Sequence, residues 1–230
     1  MTRNIRKLSV FLAGLFAVVW IAGPTVAADR FEIAKIFFEY NSTDNDLGVH
    51  VSLDAEHWKT LTITDPGGTS IFEVEGKAGY AELGLTELFF EGAEPSLDEV
   101  PLAHLLALFP EGRYTFSGLT VDGRRLTSRA TLSHAIPAGP AVSSQLNGNS
   151  LIISWTGVTG PPPGFPNEPI TIVGYQVIVD PFQVTLPGSA RQVTVPPEFV
   201  ASLKTGAQQF EVLAIDASGN QTITVGTFTK

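Results

Sequence analysis

The densest concentration of potential ligand atoms is the run Glu39-Tyr40-Asn41-Ser42-Thr43-Asp44-Asn45-Asp46-Leu47-Gly48. Glu39, Asn41, Asp44 and Asp46 offer the carboxylate and carbonyl oxygens that calcium takes, and Asp44 and Asp46 are spaced to face one ion. The EF-hand pattern fails, because the twelfth position counted from Asp44 is Ala55 and Glu56 comes one residue late. The competing reading is a solvated turn, the structure that Asn, Ser and Asp build best. A second concentration sets Glu82, Glu87, Glu91, Glu94, Asp98 and Glu99 around Leu88-Phe89-Phe90. An acidic rim around Phe89 and Phe90 could dock a basic partner. Against it stands a loop that turns its phenylalanines into the core, since exposed paired aromatics invite aggregation.

Two more aromatic residues are candidates for partner contacts. Phe165 stands between Gly164 and Pro166 in the proline-rich segment 160–169, where exposure is expected at the tip of a rigid loop. Proline-rich segments also serve proline-binding domains, but such readers are not expected outside a bacterial cell. Trp58 breaks the alternation set by Leu61 and Ile63, which points to the surface, where its ring could lie against a sugar; the competing reading is a core residue, the usual place of a single tryptophan, and one ring makes a weak platform. The inventory for catalysis is poor. His50, His57, His104 and His134 are scattered, with no HExxH pair. Neither a Gly-x-Ser-x-Gly elbow nor a glycine-rich phosphate loop after a strand occurs. Paired carboxylates could serve a glycoside hydrolase, but sandwiches of this size offer no evident deep cleft.

The elements that must position these residues follow from composition. Of 230 residues, 43% are hydrophobic and 16% charged, which suits a packed core and not a disordered chain. There is no cysteine, which excludes disulfides, thiolate zinc sites and a cysteine nucleophile. With 23 acidic against 14 basic residues, the charge is wrong for a nucleic-acid binder. Residues 1–27 read as a secretory signal peptide: Arg3, Arg6 and Lys7, a 14-residue apolar run from Leu8 to Ile21, then Gly23-Pro24 and small residues ending at Ala27. That run is short of the roughly 20 residues a membrane span needs, so cleavage is expected and no span should remain. An exported chain without cysteine fits a bacterial periplasm or the extracellular medium. The sequons Asn41-Ser42-Thr43 and Asn220-Gln221-Thr222 would matter only in a glycosylating host.

Short alternating apolar segments separated by Gly, Pro, Asn and Asp predict an all-β chain. Strands are expected at 31–40, 49–54, 60–64, 71–76, 113–121 and 125–134, then at 150–155, 171–179, 192–195, 208–216 and 221–228. Asp122-Gly123 marks a hairpin turn. One short helix is expected near 98–109, where Leu102, Leu105, Leu106 and Phe109 form an apolar stripe and Asp98 offers a cap. The two prolines in 136–140 suggest a stiff linker. Charge divides there: residues 28–137 hold 18 acidic and 8 basic residues, net −10, against 5 and 3, net −2, in 138–230.

Residues 138–230 resemble a fibronectin type III domain. The resemblance rests on Trp155 ending Ile152-Ile153-Ser154, on Gly174-Tyr175-Gln176-Val177, on Leu203, Gly206 and Phe210-Glu211-Val212, and on Ala214-Ile215-Asp216-Ala217-Ser218-Gly219-Asn220. It implies Trp155 and Tyr175 in a core between two sheets, Leu203 anchoring the loop before the penultimate strand, and a last hairpin at Gly219-Asn220. The chain departs from the family in having Phe210 at the corner-tyrosine position, a long proline-rich loop after Trp155 and no Arg-Gly-Asp. In the first half, Leu108-Phe109-Pro110-Glu111-Gly112-Arg113-Tyr114 has a similar crossover order, with Tyr114 as its own corner residue. The fold expected is therefore all-β: two tandem immunoglobulin-like β-sandwiches, 28–137 with one short helix and 138–230 fibronectin type III-like. The function expected is a non-catalytic protein-interaction or structural module of the bacterial envelope, the alternative being a carbohydrate-binding accessory module.

Overall fold

A computed structural model of the chain describes residues 29–230, so the expected leader at 1–27 lies outside the described residues. The first half runs β1 (Ile33–Asn41), β2 (Asp46–Thr64), β3 (Ser70–Glu75), α1 (Gly79–Leu83), β4 (Leu85–Glu91), α2 (Leu102–Leu108), β5 (Gly112–Thr120) and β6 (Arg125–Leu132). The second runs β7 (Val142–Asn147), β8 (Ser150–Trp155), β9 (Ile172–Val179), β10 (Phe182–Pro187), β11 (Gln192–Val195), α3 (Pro197–Ser202), β12 (Ala207–Asp216) and β13 (Gln221–Thr229). The chain is all-β, built as sandwiches, and the helices among the described residues are short. No helix of the described residues is long and apolar enough to cross a membrane.

In the first half β2 does the work of two strands. Up to Asp54 it lies between β1 and β4, and from Trp58 it lies between β3 and β5, with β6 beyond β5. The 49–54 and 60–64 strands expected separately are thus one bent strand. The bend falls at His57, whose φ is +51°, and the pairing register shifts on both sides of Trp58. Gly84 backs this corner: a Cβ there would lie 2.7 Å from the His57 Cα, so only glycine lets the chain pass.

The corner also corrects the expectation for Trp58. A bulge resets the in–out phase of a strand, and here it sends the indole inward, fully buried among Leu53, Leu61 and Ile63 in the first core. The acidic segment around Phe89 and Phe90 is a strand, not a loop. Phe90 faces inward and stacks on Phe72 at 4.4 Å between ring centroids, while Phe89 faces out. The apolar stripe of α2 packs against the same core as expected, led by buried Leu105. Asp98 does not cap it. Its carboxylate accepts a hydrogen bond from Asn45 Nδ2 at 3.0 Å, and the helix begins after Pro101 instead.

The second half packs β7-β8-β11 against β10-β9-β12-β13. Trp155 and Tyr175 meet at 5.4 Å in a core shared with Val177, Phe210 and Val212. The Tyr175 hydroxyl accepts the Val158 N–H at 3.0 Å, so the buried phenol oxygen is not left unpaired. Strands β4, β7 and β10 and the helices α1 and α3 come in addition to the elements expected from the sequence.

The two halves share a sheet. β13 pairs in parallel with β1, Glu39 opposite Gln221 and Asn41 opposite Ile223, so one path of strands runs β10-β9-β12-β13-β1-β2-β5-β6. Asn220, fully buried, ties the seam. Its Oδ1 accepts the Phe38 N–H at 2.8 Å, and its Nδ2 donates to the carbonyls of Ser133 at 2.7 Å and Ala135 at 3.1 Å. The 136–140 segment is part of this seam: Ile136, Pro137 and Pro140 are buried, and Thr222 donates to the Pro137 carbonyl.

Candidate functional site

The β1–β2 hairpin sets the site. Its four-residue turn, 42–45, ends on Asn45 at φ +56°, a left-handed conformation that Asn tolerates. The Asn41 side-chain oxygen accepts the N–H groups of Thr43 and Asp44, at 3.0 and 3.3 Å, which closes the turn. That register places Phe37 opposite His50 and Glu39 opposite Gly48. Alternation then sends Ile36, Phe38, Val49 and Val51 into the core and leaves Phe37, Glu39 and His50 on the outer face.

His50 is only 3% exposed although it faces outward, because other side chains cover it. Phe37 stacks on its ring at 5.3 Å between centroids, and Phe89 from β4 leans over it at 5.8 Å. Three carboxylates close the remaining sides. Glu94 Oε1 lies 3.1 Å and Glu39 Oε1 3.8 Å from His50 Nε2, and Glu91 Oε2 lies 4.0 Å from Nδ1. The Glu39 carboxylate also accepts a hydrogen bond from Gln221 Nε2 across the seam. Gly48 leaves room for Glu94 in this position: a Cβ there would stand 2.5 Å from the Glu94 Cγ, so the Glu94 side chain would have to shift.

Crowding of carboxylates shows in their protonation. Burial, the largest cause, pushes the Glu39 carboxyl above its ordinary value; His50 and the Gln221 hydrogen bond oppose this, while Glu94 and Glu91 add to it. Asp46 is also raised, by burial first and then by Glu94 and Asp44. Among the described residues, Glu39, His50 and Glu94 are the group whose ligand atoms all lie within 4.8 Å of one another, a spacing that could hold a metal ion.

The residues singled out in the sequence are distributed differently. Glu39 turns towards His50, while Asn41 donates from Nδ2 to Asp44 Oδ2 at 2.9 Å and Asp46 pairs back to Ser96. Phe89 is 58% exposed, with Glu87 and Glu91 on the same face of β4. Phe165 is not an exposed tip. Its loop folds back on the first half, and the half-buried ring packs on Tyr40 at 4.9 Å. Trp58, fully buried, has no face to offer a sugar.

His50 stands in the sequence with no metal-ligand partner at helical spacing. A signal was present: once the turn at 42–45 is recognised, the hairpin register alone puts Glu39 and His50 on one face of neighbouring strands. Glu94 gave no such signal, because its place depends on β4 pairing with β2 across more than thirty residues of chain.

No family model matches the chain, and no match was found among curated proteins. Solved structures overlap it loosely. The Clostridium perfringens spore cortex lytic enzyme SleM is 19% identical over 41% of this chain and 28% of its own, with a TM-score of 0.33. A 1.5-MDa bacterial ice-binding adhesin is 17% identical over 88% and 64%, with a TM-score of 0.28. A tetra-tandem repeat from the extending region of a large adhesion protein is 14% identical over 86% and 49%, with a TM-score of 0.27. The chain thus spans less than two thirds of each of these structures.

Proposed function

We propose that the protein is an exported, non-catalytic interaction module of the bacterial envelope or its surroundings, which captures an extended basic segment of a partner protein along β4. The observation that carries this reading is Phe89, 58% exposed on a strand that pairs on one side only, with β2, among the described residues. A free strand edge offers unpaired N–H and C=O groups to an incoming extended chain. Glu87 and Glu91 flank Phe89 on the same face, and the half of the chain that carries them has a net charge of −10. Together these favour a segment rich in Lys and Arg with an apolar side chain to meet the ring. Nucleic acid is disfavoured by the same charge.

The three-plus-four packing of the second half around Trp155 and Tyr175 supports reading it as fibronectin type III-like, a support for the binding half. In the first half, Tyr114 donates from its hydroxyl to the Pro110 carbonyl at 3.0 Å, the bond of a tyrosine corner, which supports an immunoglobulin-like sandwich. An envelope or extracellular location rests on the leader pattern at 1–27 and the lack of cysteine.

The test is a pull-down with residues 28–230 from envelope extract of the source organism at low and high salt, beside the variants Phe89→Ala and Glu87→Gln/Glu91→Gln. A stoichiometric protein released by salt and lost by about tenfold in affinity with either variant supports the reading. Recovery of polysaccharide alone, or a partner indifferent to both variants, overturns it.

A further inference from the structure

We propose that Glu39, His50 and Glu94 form a binding site for a first-row divalent transition ion, with zinc the best fit. This proposal does not rest on the docking role given to β4, and it shares Phe89 and Glu91 with that surface. Zinc bonds of about 2.0–2.2 Å to nitrogen and oxygen place tetrahedral ligand atoms about 3.2–3.6 Å apart. The His50 Nε2 distances of 3.1 Å to Glu94 and 3.8 Å to Glu39 bracket that edge, so an ion needs only small side-chain rotations to reach all three atoms.

The surroundings suit an ion as well as the distances do. The imidazole is buried and its orientation is fixed by Phe37 and Phe89, so little freedom remains to be lost on binding. With Nε2 turned to the two carboxylates, Nδ1 is left on the side of Glu91 at 4.0 Å. At that distance Glu91 is a charge neighbour and not a hydrogen-bond partner; a rotation that brought it into contact would give the metal-bound histidine a carboxylate behind its other ring nitrogen. Gln221 orients Glu39 from the neighbouring strand.

Charge argues in the same direction. Three carboxylates crowd one imidazole at a partly buried place, and a proton on His50 could offset only one of them, whereas a divalent ion offsets two. Glu94 is 34% exposed, so the fourth position opens to solvent. Calcium and magnesium are disfavoured, because they prefer all-oxygen sites and the central donor here is nitrogen. The site is therefore distinct in residues and in ion from the calcium expected at Asn41, Asp44 and Asp46; only Glu39 is common to both. A bound ion would pin Glu94, and with it the loop after β4, onto β2.

The experiment is titration of the tag-free, chelator-stripped chain with zinc chloride, followed by calorimetry and by competition with a chromogenic chelator, and repeated with cobalt chloride to read the visible absorption of the ion. One saturable zinc per chain is expected, undisturbed by millimolar calcium, with binding lost in His50→Gln. It should weaken at least tenfold in Glu94→Gln and in Gly48→Ala, which displaces Glu94 without touching a ligand. Far-ultraviolet circular dichroism checks each variant; should His50→Gln not fold, Glu94→Gln and Gly48→Ala decide. Absence of saturable binding, binding unchanged in these variants and so held by surface histidines such as His57, or equal competition by calcium would each overturn the proposal.

Discussion

At the scale of single residues, the arrangement around His50 makes Glu39 a destabilising group when charged. Its carboxyl sits above the ordinary value of 4.5 in the folded chain, burial being the main cause. An acid with a raised folded value binds its proton more tightly in the native state than in the unfolded one. The contribution of this group to native stability is therefore intact below 4.5 and is lost as pH rises through the folded value. Replacing Glu39 by Gln removes the charge and keeps an oxygen for Gln221. In the presence of chelator, Glu39→Gln should melt at a higher temperature than the parent chain at pH 7, with the difference closing by pH 4. Thermal melts across that range check it: a difference that persists at pH 4 would mean that ionisation is not its source. With zinc added at pH 7 the order should reverse, because the variant has lost a ligand. The hairpin register made half of this cluster legible in the sequence, whereas Glu94 became visible only with the β2–β4 pairing.

At the scale of elements, what the sequence reveals depends on how cleanly a segment shows β-type alternation, not on how near its partner lies: β11 pairs with β8 some forty residues away, and β10 pairs with the adjacent β9. β8 and β11 occupy the expected 150–155 and 192–195, and the last two strands differ from expectation by a single residue at one end. Their alternation is undisturbed and one face is buried. β4 and β10 were missed for different reasons. β4 lies within an acidic stretch, with Glu87 and Glu91 on its outward face, that reads as a solvated loop around its phenylalanines; β10 is six residues closed by Pro181 and Pro187. The inward turn of Trp58 could not be read, because a bulge changes which parity faces the core and leaves no mark in composition. Tyr114 was legible as a corner residue, and its bond to the Pro110 carbonyl can be weighed. Tyr114→Phe should lower stability by about 1 kcal/mol, seen as a shifted denaturant midpoint with an unchanged slope. The same phenol is pushed up to about 12, by burial first and Asp65 second, against an ordinary value of 10. Stability from this group is intact below pH 10 and declines as pH rises towards 12, because the unfolded chain releases that proton first. An ultraviolet titration at 295 nm should show a tyrosine ionising near 12 that is absent from Tyr114→Phe.

At the scale of the whole molecule, the continuous sheet changes what two sandwiches can do. Tandem domains joined by an exposed tether unfold separately and swing relative to one another. Here the parallel β1–β13 pair, buried Ile136, Pro137 and Pro140, and Asn220 make the seam a packed surface. The side chain of Asn220 satisfies three backbone groups, one on β1 and two just ahead of the seam segment. Removing it would leave the Phe38 N–H and the Ser133 carbonyl without that partner and the Ala135 carbonyl with only the long 3.5 Å bond from Ser218 Oγ. Unsatisfied buried groups cost about 1–3 kcal/mol each, so Asn220→Ala should lose about 3 kcal/mol or more of stability. The loss should have a particular form. Each half keeps its own core, Trp58 and Phe116 in the first and Trp155 and Tyr175 in the second, so weakening the seam should uncouple the halves without destroying either. The parent chain is expected to unfold in one calorimetric transition whose calorimetric and van't Hoff enthalpies agree. Asn220→Ala is expected to split it into two. Gly139→Val offers an independent route to the same end, since a Cβ there would press on the Ser42 and Thr224 hydroxyls that hydrogen-bond across the seam. Two transitions already present in the parent chain would show that the shared sheet does not couple the halves. A single transition in both variants, at a lower temperature, would show that the remaining β1–β13 pairing is sufficient to hold them together.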